Sequence, residues 1–234
     1  MVDTNRIIQL DHPEIEVYLR VQPRARRFTL RLDPSGSGAI LTLPPGVPMT
    51  EARMFLLRQA DWLADAVARR PDRVCVCDGC RLPVDGELVT IVAAAGPRRP
   101  PVLENGSLIL HGRSPVAPRV KSWLKARARA HLAPAVHAYA DALGHRVEAI
   151  AMKDTRSRWG SCSSAGRINL SWRLAMAPRE IQEYVAAHEA AHLVEMNHSE
   201  RFWSVLERLM PGYRQHKNWL RREGRELHRF QFGD

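Results

Sequence analysis

The sequence predicts an α+β fold, in which a small antiparallel β-rich N-terminal region precedes a domain of helices and short strands. Apolar and polar residues alternate through much of the first third of the chain, as in half-buried strands. After Pro118 and again after Pro178, apolar residues recur at helical spacing. The 234 residues, 45% of them hydrophobic, suffice to bury a core. We place the division at residues 1–112 and 113–234.

The N-terminal region is predicted to hold a sheet of three antiparallel strands and one helix. Alternation marks the strands at Val17–Val21, Phe28–Leu32 and Ile40–Leu43, with the turn-rich stretch DPSGSG before the third. Thr50 is expected to cap a helix over about residues 50–70. The apolar side of that helix consists of Phe55, Leu56, Trp62, Leu63 and Val67.

Two more short strands and a long helix are predicted next. The strands are Leu88–Ala93 and Ser107–His111. The helix begins near Pro118, which suits a first turn, and ends at Gly144. Pro134 lies inside it and is expected to kink or interrupt it, because proline cannot donate the helical hydrogen bond.

The last third of the chain reads as two strands followed by helices. Arg146–Met152 and Arg167–Trp172 are strand-like and flank the turn-rich stretch RWGSCSSAG. Pro178 opens a helix, and Pro211-Gly212 separates two more. No internal sequence repeat is visible.

Composition narrows the class of protein. The sequence has no run of about 18 apolar residues, and its N-terminus lacks a signal-peptide pattern, so we expect a cytoplasmic protein without a membrane span. In that compartment Cys75, Cys77, Cys80 and Cys162 should be thiols. The C-x-C-x-x-C cluster has one sulfur fewer than a structural zinc site needs. It favours a short strand and a turn at Asp78-Gly79, with a second metal or redox role left open.

The positive charge is concentrated in two stretches. The net charge is +10; Arg20–Arg31 holds five arginines and Arg113–Arg129 six basic residues, without an acid in either. In the second stretch Lys121, Lys125 and Arg129 recur every four residues, which puts them on one helical face. Such a stripe can bind nucleic-acid phosphates, or it can be a solvated surface. Both interpretations stay open.

The motif HEAAH predicts two metal ligands and a base. His188 and His192 are four residues apart, so they project from one helical face. Ile181 and Val185 lie on the same stripe, which turns both imidazoles toward the core. Glu189 flanks that stripe and can reach water beside a metal without binding the ion. H-E-x-x-H on a helix is the zincin signature.

A catalytic zinc site usually takes a third protein ligand. His198 follows His192 by six residues, the metzincin offset, but Glu195 replaces the glycine of that pattern. The helix must therefore end for His198 to fold back. Asn197 is the best residue for a left-handed helix end, and Ser199 can cap the next helix. Glu195 is an alternative ligand, less suitable because on a continuing helix it would rise past the metal.

Two long motifs resemble a known family. The stretches SRWGSCSSAGRINLSWRLAMAP and YVAAHEAAHLVEMNHSERFW are similar to the YgjP-like zinc metallopeptidases, relatives of the SprT-like zincins. Weaker similarity covers most of the chain. The resemblance implies a zincin-like metallopeptidase domain over 113–234, with Zn²⁺ bound by His188, His192 and His198 and with Glu189 as general base. The cysteine cluster is not part of the family pattern.

The expected function is zinc-dependent hydrolysis of peptide bonds in a protein or peptide substrate. The resemblance implies that a segment within Arg156–Trp172 forms the cleft wall; Arg158 and Trp159 either line it or are structural. Tyr184 is expected to pack behind the site, one turn before His188. The alternative is a zinc-stabilised nucleic-acid-associated protein, either a DNA-associated protease or a binding module without catalysis. Substrate, oligomeric state and the group that stabilises the oxyanion are not specified by the sequence.

Overall fold

The computed structural model describes residues 7–11, 13–33, 38–69 and 72–233, and the chain forms two compact units, Met1–Arg70 and Pro71–Asp234. Helices and small sheets occur in both, which confirms the α+β prediction. In the described ranges no helix has both the length and the apolar character to cross a membrane.

The first unit is a four-stranded sheet with two helices. The strands are β1 (Ile7–Asp11), β2 (Glu14–Val21), β3 (Thr29–Leu32) and β4 (Ala39–Leu43), in the order β1-β2-β4-β3. The helices are α1 (Met49–Arg58) and α2 (Ala60–Ala68). Every second residue of β2 is buried, and these side chains share one core with Leu56 and Leu63. Alternation in the sequence therefore reflects a sheet with one buried face.

Three predictions for this unit were wrong in detail. The sheet has a fourth strand, β1, and the central β2–β4 pair is parallel. The single helix is divided at Gln59, whose ψ of 8° departs from helical geometry. Pro48 rather than Thr50 is the N-cap, without a side-chain hydrogen bond. Trp62 and Val67 are 47% and 36% exposed, because the helix break turns them away from the buried face.

The second unit begins with another four-stranded sheet. After β5 (Val74–Cys75), the strands are β6 (Arg81–Val84), β7 (Glu87–Ala94), β8 (Val102–Glu104) and β9 (Ser107–His111). Their order is β6-β7-β9-β8, with an antiparallel, a parallel and an antiparallel pair, the same topology as in the first unit. The fold thus uses one strand arrangement twice, although no repeat is visible in the sequence.

A long helix, α3 (Val116–Ala142), follows this sheet. It continues through Pro134, so that proline does not interrupt it. Gly144 adopts φ +72°, a conformation that glycine takes without strain, and the helix ends just before it as expected. The buried stripe of α3 consists of Val120, Leu124, Ala128, Leu132, Val136 and Ala140.

The strands of the second sheet belong with the helices that follow them. Their buried side chains, among them Leu82, Ile91 and Leu108, share one core with α3. Asp85, in the β6–β7 turn, accepts hydrogen bonds from Arg127 and Gln182 and pairs with Arg179. The sequence suggested a boundary at 112/113, whereas the compact units meet at 70/71, because this core and this ion cluster tie residues 81–111 to the C-terminal part. We call Asp85 and these three partners the Asp85 cluster.

The remaining elements build the site. The strands are β10 (Ala149–Lys153), β11 (Gly160–Cys162), β12 (Arg167–Ser171) and β13 (Phe230–Gln231), and the helices are α4 (Arg179–Ala191), α5 (Glu200–Leu209) and α6 (Tyr213–Glu223), with 3-10 turns at Trp172–Met176 and Gly224–His228. The third sheet has the order β10-β12-β11, so β11 is an edge strand. Pro178 directly precedes α4, and Pro211-Gly212 separates α5 from α6, as predicted.

Candidate metal centre and active site

Three histidines converge where α4 ends and α5 begins. His188 lies in α4, His192 is the residue at its C-terminal cap, and His198 precedes α5. One possible ligand atom of each lies within 4.8 Å of the others, and the Nε2 atoms of His188 and His198 are 3.2 Å apart. Tetrahedral zinc with Zn–N bonds of about 2.1 Å holds its ligand nitrogens about 3.4 Å apart. The histidine geometry therefore fits one metal ion.

The chain reverses direction between His192 and His198. Asn197 Oδ1 accepts a hydrogen bond from the Ser199 N–H at 2.9 Å, which closes a tight turn. Ser199 Oγ then accepts from the Phe202 N–H at 3.4 Å and caps α5, as predicted. The expectation of a left-handed Asn197 was wrong: it is not among the described non-glycine residues with positive φ. The side-chain amide makes the turn instead.

A hydrogen bond orients the His192 ring, and stacking orients the His198 ring. His192 Nδ1 lies 3.0 Å from the Glu195 carbonyl oxygen; a proton donated there leaves Nε2 free to bind a metal. Glu195 thus contributes its main chain, and its carboxylate is outside the cluster of possible ligands. Trp203 Nε1 donates to the His198 carbonyl at 3.1 Å, and its ring stacks on that histidine with centroids 5.5 Å apart.

The environment of His188 and His192 lowers the pKa of both imidazoles. Burial, and then the charges of His192, His198 and Lys217, together lower the pKa of His188 to about 3. Burial also lowers the pKa of His192. Only a neutral imidazole has a lone pair for a metal, so these shifts favour the binding form. His188 Nδ1 is buried without a hydrogen-bond partner among the described residues.

Glu189 lies beside the histidines with 4% of its surface exposed. Its Oε2 atom has no hydrogen-bond partner in the described part of the chain. Burial raises the pKa of this carboxyl to about 8, and the nearby charge of Arg158 opposes that rise. A cation bound by the histidines would also favour the ionised carboxylate. A buried carboxyl with an oxygen that makes no hydrogen bond, next to three imidazoles, is better suited to proton transfer than to stabilising the fold.

Gly160 is in contact with Glu189. A Cβ atom at residue 160 would lie 2.6 Å from both Cγ and Cδ of Glu189, and closer still to Oε1. The first residue of β11 therefore has to be glycine for the carboxylate to occupy this position. This role of Gly160 was not predicted from the sequence, because the two residues are 29 positions apart and neither motif indicates that they touch.

The site opens into a cleft of about 380 Å³ between β11 and α4. Residues 158–162 form one wall, which confirms that a segment within Arg156–Trp172 lines the cleft, with Arg158 and Trp159 among its residues. Tyr184 packs against His188 with ring centroids 5.8 Å apart, as predicted, and also lines the cleft. Apart from Leu220 of α6, the residues that line the cleft therefore come from the two motifs singled out in the sequence.

A comparison with protein families matches residues 26–223 to the YgjP-like family, described as a metallopeptidase domain. The chain belongs to the YgjP-like metallopeptidase family. The similarity to the crystal structure of the metallopeptidase zymogen of Pyrococcus abyssi abylysin is low: 22% identity over 38% of this chain and 90% of that chain, with a TM-score of 0.35. The comparison with curated proteins gives no match.

An aromatic stack supports the centre of this YgjP-like metallopeptidase. Tyr184 lies parallel to Tyr213 of α6, with centroids 6.3 Å apart, and Tyr213 stacks on Trp203 at 5.4 Å. Trp203 in turn covers His198. The stack links α4, α5 and α6 behind the histidines. It was not predicted, because helical periodicity indicates a buried face but not which helix covers it.

None of the four cysteines of this metallopeptidase belongs to the histidine cluster. Cys162 is in the cleft wall, where burial, and then the charge of Glu189, raise the pKa of its thiol to about 11. Cys75, Cys77 and Cys80 are free and surround a turn at Asp78-Gly79, as predicted. Within the described ranges, the three histidines are the one group of metal-binding side chains found.

Proposed function

We propose that this YgjP-like protein is a zinc-dependent peptidase, in which His188, His192 and His198 hold Zn²⁺ and Glu189 is the general base. The observation that carries the proposal is the convergence of three imidazoles beside a buried carboxylate whose Oε2 atom has no partner among the described residues. Three nitrogen ligands with one open position are the usual donor set of catalytic zinc. When bound, such an ion polarises a carbonyl and lowers the pKa of water.

Glu189 moves the protons of the reaction. Its carboxylate accepts a proton from the attacking water as the new C–O bond forms at the scissile carbonyl carbon. The same carboxyl then delivers a proton to the leaving nitrogen as the C–N bond breaks. The contact with Gly160 fixes the carboxylate, and the surrounding apolar side chains limit competing water. General acid–base catalysis of this kind contributes about 10²- to 10⁴-fold to the rate.

The edge strand β11 is the proposed docking strand for substrate. It pairs with β12 on one side, as in the register Gly160–Leu170, and its other edge borders the cleft. An extended peptide can add to such an edge through main-chain hydrogen bonds. The scissile bond would then lie alongside Glu189 and the histidines.

The test compares Glu189→Gln with Glu180→Gln, a matched change at an exposed position in the first turn of the same helix. Both proteins are loaded with zinc and incubated with a peptide library. We expect Glu189→Gln to keep its zinc and lose cleavage by at least about 100-fold, and Glu180→Gln to retain both. Cleavage by Glu189→Gln at the wild-type rate would refute the general-base role.

Nucleic-acid binding is a second candidate function, favoured by a separate cleft of about 710 Å³. Arg98 and Arg99 lie on one side of it, and Arg119 and Trp123 of α3 on the other. The Nη1 atom of Arg119 is buried without a partner among the described residues. Cations beside an aromatic ring can hold single-stranded nucleic acid. Binding of an oligonucleotide with a steep salt dependence, lost in Arg98→Gln/Arg99→Gln, would support it; salt-independent or absent binding would exclude it.

A further inference from the structure

Arg158 brings a positive charge into an otherwise mostly apolar cleft. It is the one lysine or arginine among the residues that line the cleft, and Glu189 is the one carboxylate. The side chain is exposed, and its guanidinium makes no ion pair or hydrogen bond with any described residue. The main chain is held, because Thr155 Oγ1 donates to the Arg158 carbonyl at 2.8 Å. An anchored arginine without an acidic partner is available for a ligand.

Arg158 lies on the Glu189 side of the cleft. It precedes Gly160 by two residues, a span of at most about 7 Å along an extended chain, and Gly160 is in contact with Glu189. The charge of Arg158 acts on the carboxyl of Glu189, whereas the lysine whose charge acts on His188 is Lys217. Lys217 is not among the residues that line the cleft, so Arg158 is the one lysine or arginine of the lining, and it lies beside the base.

This position has a consequence for substrate, which rests on the proposed function. If Glu189 delivers a proton to the leaving nitrogen, that nitrogen must lie beside it. The residues that follow the scissile bond extend from this nitrogen. The guanidinium of Arg158 is therefore closer to the first or second residue after the scissile bond than to the residues before it.

We propose that Arg158 determines specificity by binding a carboxylate of the substrate on the C-terminal side of the scissile bond. Two sources supply this chemistry: an acidic side chain, or the C-terminal carboxylate of the peptide. Guanidinium and carboxylate form two parallel hydrogen bonds with a fixed geometry, which lysine cannot reproduce. An interaction of this strength corresponds to about a 10- to 100-fold preference, with the lower end expected for an exposed arginine.

The experiment measures kcat/KM of the zinc-loaded protein on quenched fluorescent peptides that differ only at the two positions after the scissile bond. One set carries Glu, Gln or Lys there, followed by several more residues. A second set ends at that point, as a free acid or as an amide. We expect the Glu peptides, the free acids or both to be cut about 10-fold faster than their neutral counterparts. A Glu preference identifies the side chain as the source, and a free-acid preference the terminus.

Variants of Arg158 test whether this residue causes the preference for a carboxylate. Arg158→Gln should abolish the preference and keep the zinc content of the wild type; Arg158→Lys should keep part of the preference, and Arg158→Glu should favour Lys peptides. Arg156→Gln, an exposed arginine outside the cleft lining, is the matched control and should behave as wild type. Equal rates on Glu, Gln and free-acid peptides, or a preference that survives in Arg158→Gln, would overturn the inference. Failure to cut any peptide would instead refute the proposed peptidase function.

Discussion

The contact between Gly160 and Glu189 gives the sharpest prediction about this protein. Replacing Gly160 by alanine adds one methyl group, whose carbon would lie 2.6 Å from Cγ and Cδ of Glu189. Ordinary van der Waals contact begins near 3.4 Å, so either the carboxylate or β11 must move by at least about 0.8 Å. Glu189 is nearly buried and cannot escape into solvent.

The expected effect is large on catalysis and moderate on stability. A displacement of about 1 Å at a reacting group can cost about 100-fold in rate, and overpacking of a buried contact costs about 1–3 kcal/mol. We therefore expect Gly160→Ala to lower kcat/KM by about 100-fold with zinc still bound. Ser164→Ala, at an exposed residue in the turn after the same strand and outside the cleft lining, adds no atom and is the control.

A double-mutant cycle tests the cause. In Glu189→Ala protein the added methyl group has room, so the loss of stability caused by Gly160→Ala should largely disappear. The measurements are urea unfolding for all four proteins and kcat/KM for the two that keep Glu189. Wild-type activity in Gly160→Ala would contradict the reasoning. So would an equal loss of stability in both backgrounds, since the clash would then involve another group.

Three further predictions concern the metal, the Asp85 cluster and acid stability. His198→Ala should weaken zinc binding at least about 10-fold in chelator competition, since two ligands remain; unchanged binding would mean that another group completes the site. Asp85→Asn, which leaves partly buried arginines unpaired, should lower the free energy of unfolding in urea by about 1–3 kcal/mol, whereas Asp65→Asn in an exposed pair should change it by less than about 0.5 kcal/mol. Burial, reinforced by the charge of Arg173, lowers the pKa of His228 to about 4, below its unfolded value near 6.5. The unfolded chain therefore binds a proton at His228 more readily than the folded protein does. The stability that neutral His228 contributes is fully present above about pH 6.5 and is lost as the pH falls toward 4. The unfolding temperature of His228→Phe should fall less steeply with decreasing pH than that of the wild type. Identical pH profiles for the two proteins would exclude His228 as a cause of the acid instability.

Much of the secondary structure could be predicted from local sequence patterns. Alternation located β2, β4, β7 and β9, because a strand with one buried face repeats every second residue. The edge strands β1 and β8 were missed. In β1 the exposed Ile7 next to the buried Ile8 hides the alternation in the sequence, and β8 has only three residues, none of them buried. The break at Gln59 and the unbroken course of α3 through Pro134 were also not predicted, because tertiary packing overrides local preference there.

The candidate site likewise has features that the sequence predicts and others that only the tertiary structure shows. The sequence by itself determined the ligand set and base as a hypothesis, since i, i+4 spacing brings His188 and His192 to one face and Ser199 caps the helix after His198. Only the tertiary structure decided that Gly160 touches Glu189, that Trp203 covers His198, and that Arg158 lies on the side of the base. These contacts join segments that are far apart in the chain or separated by a turn. Residue spacing records which groups share one element, whereas the packing of β11, α4 and α5 decides what each group touches.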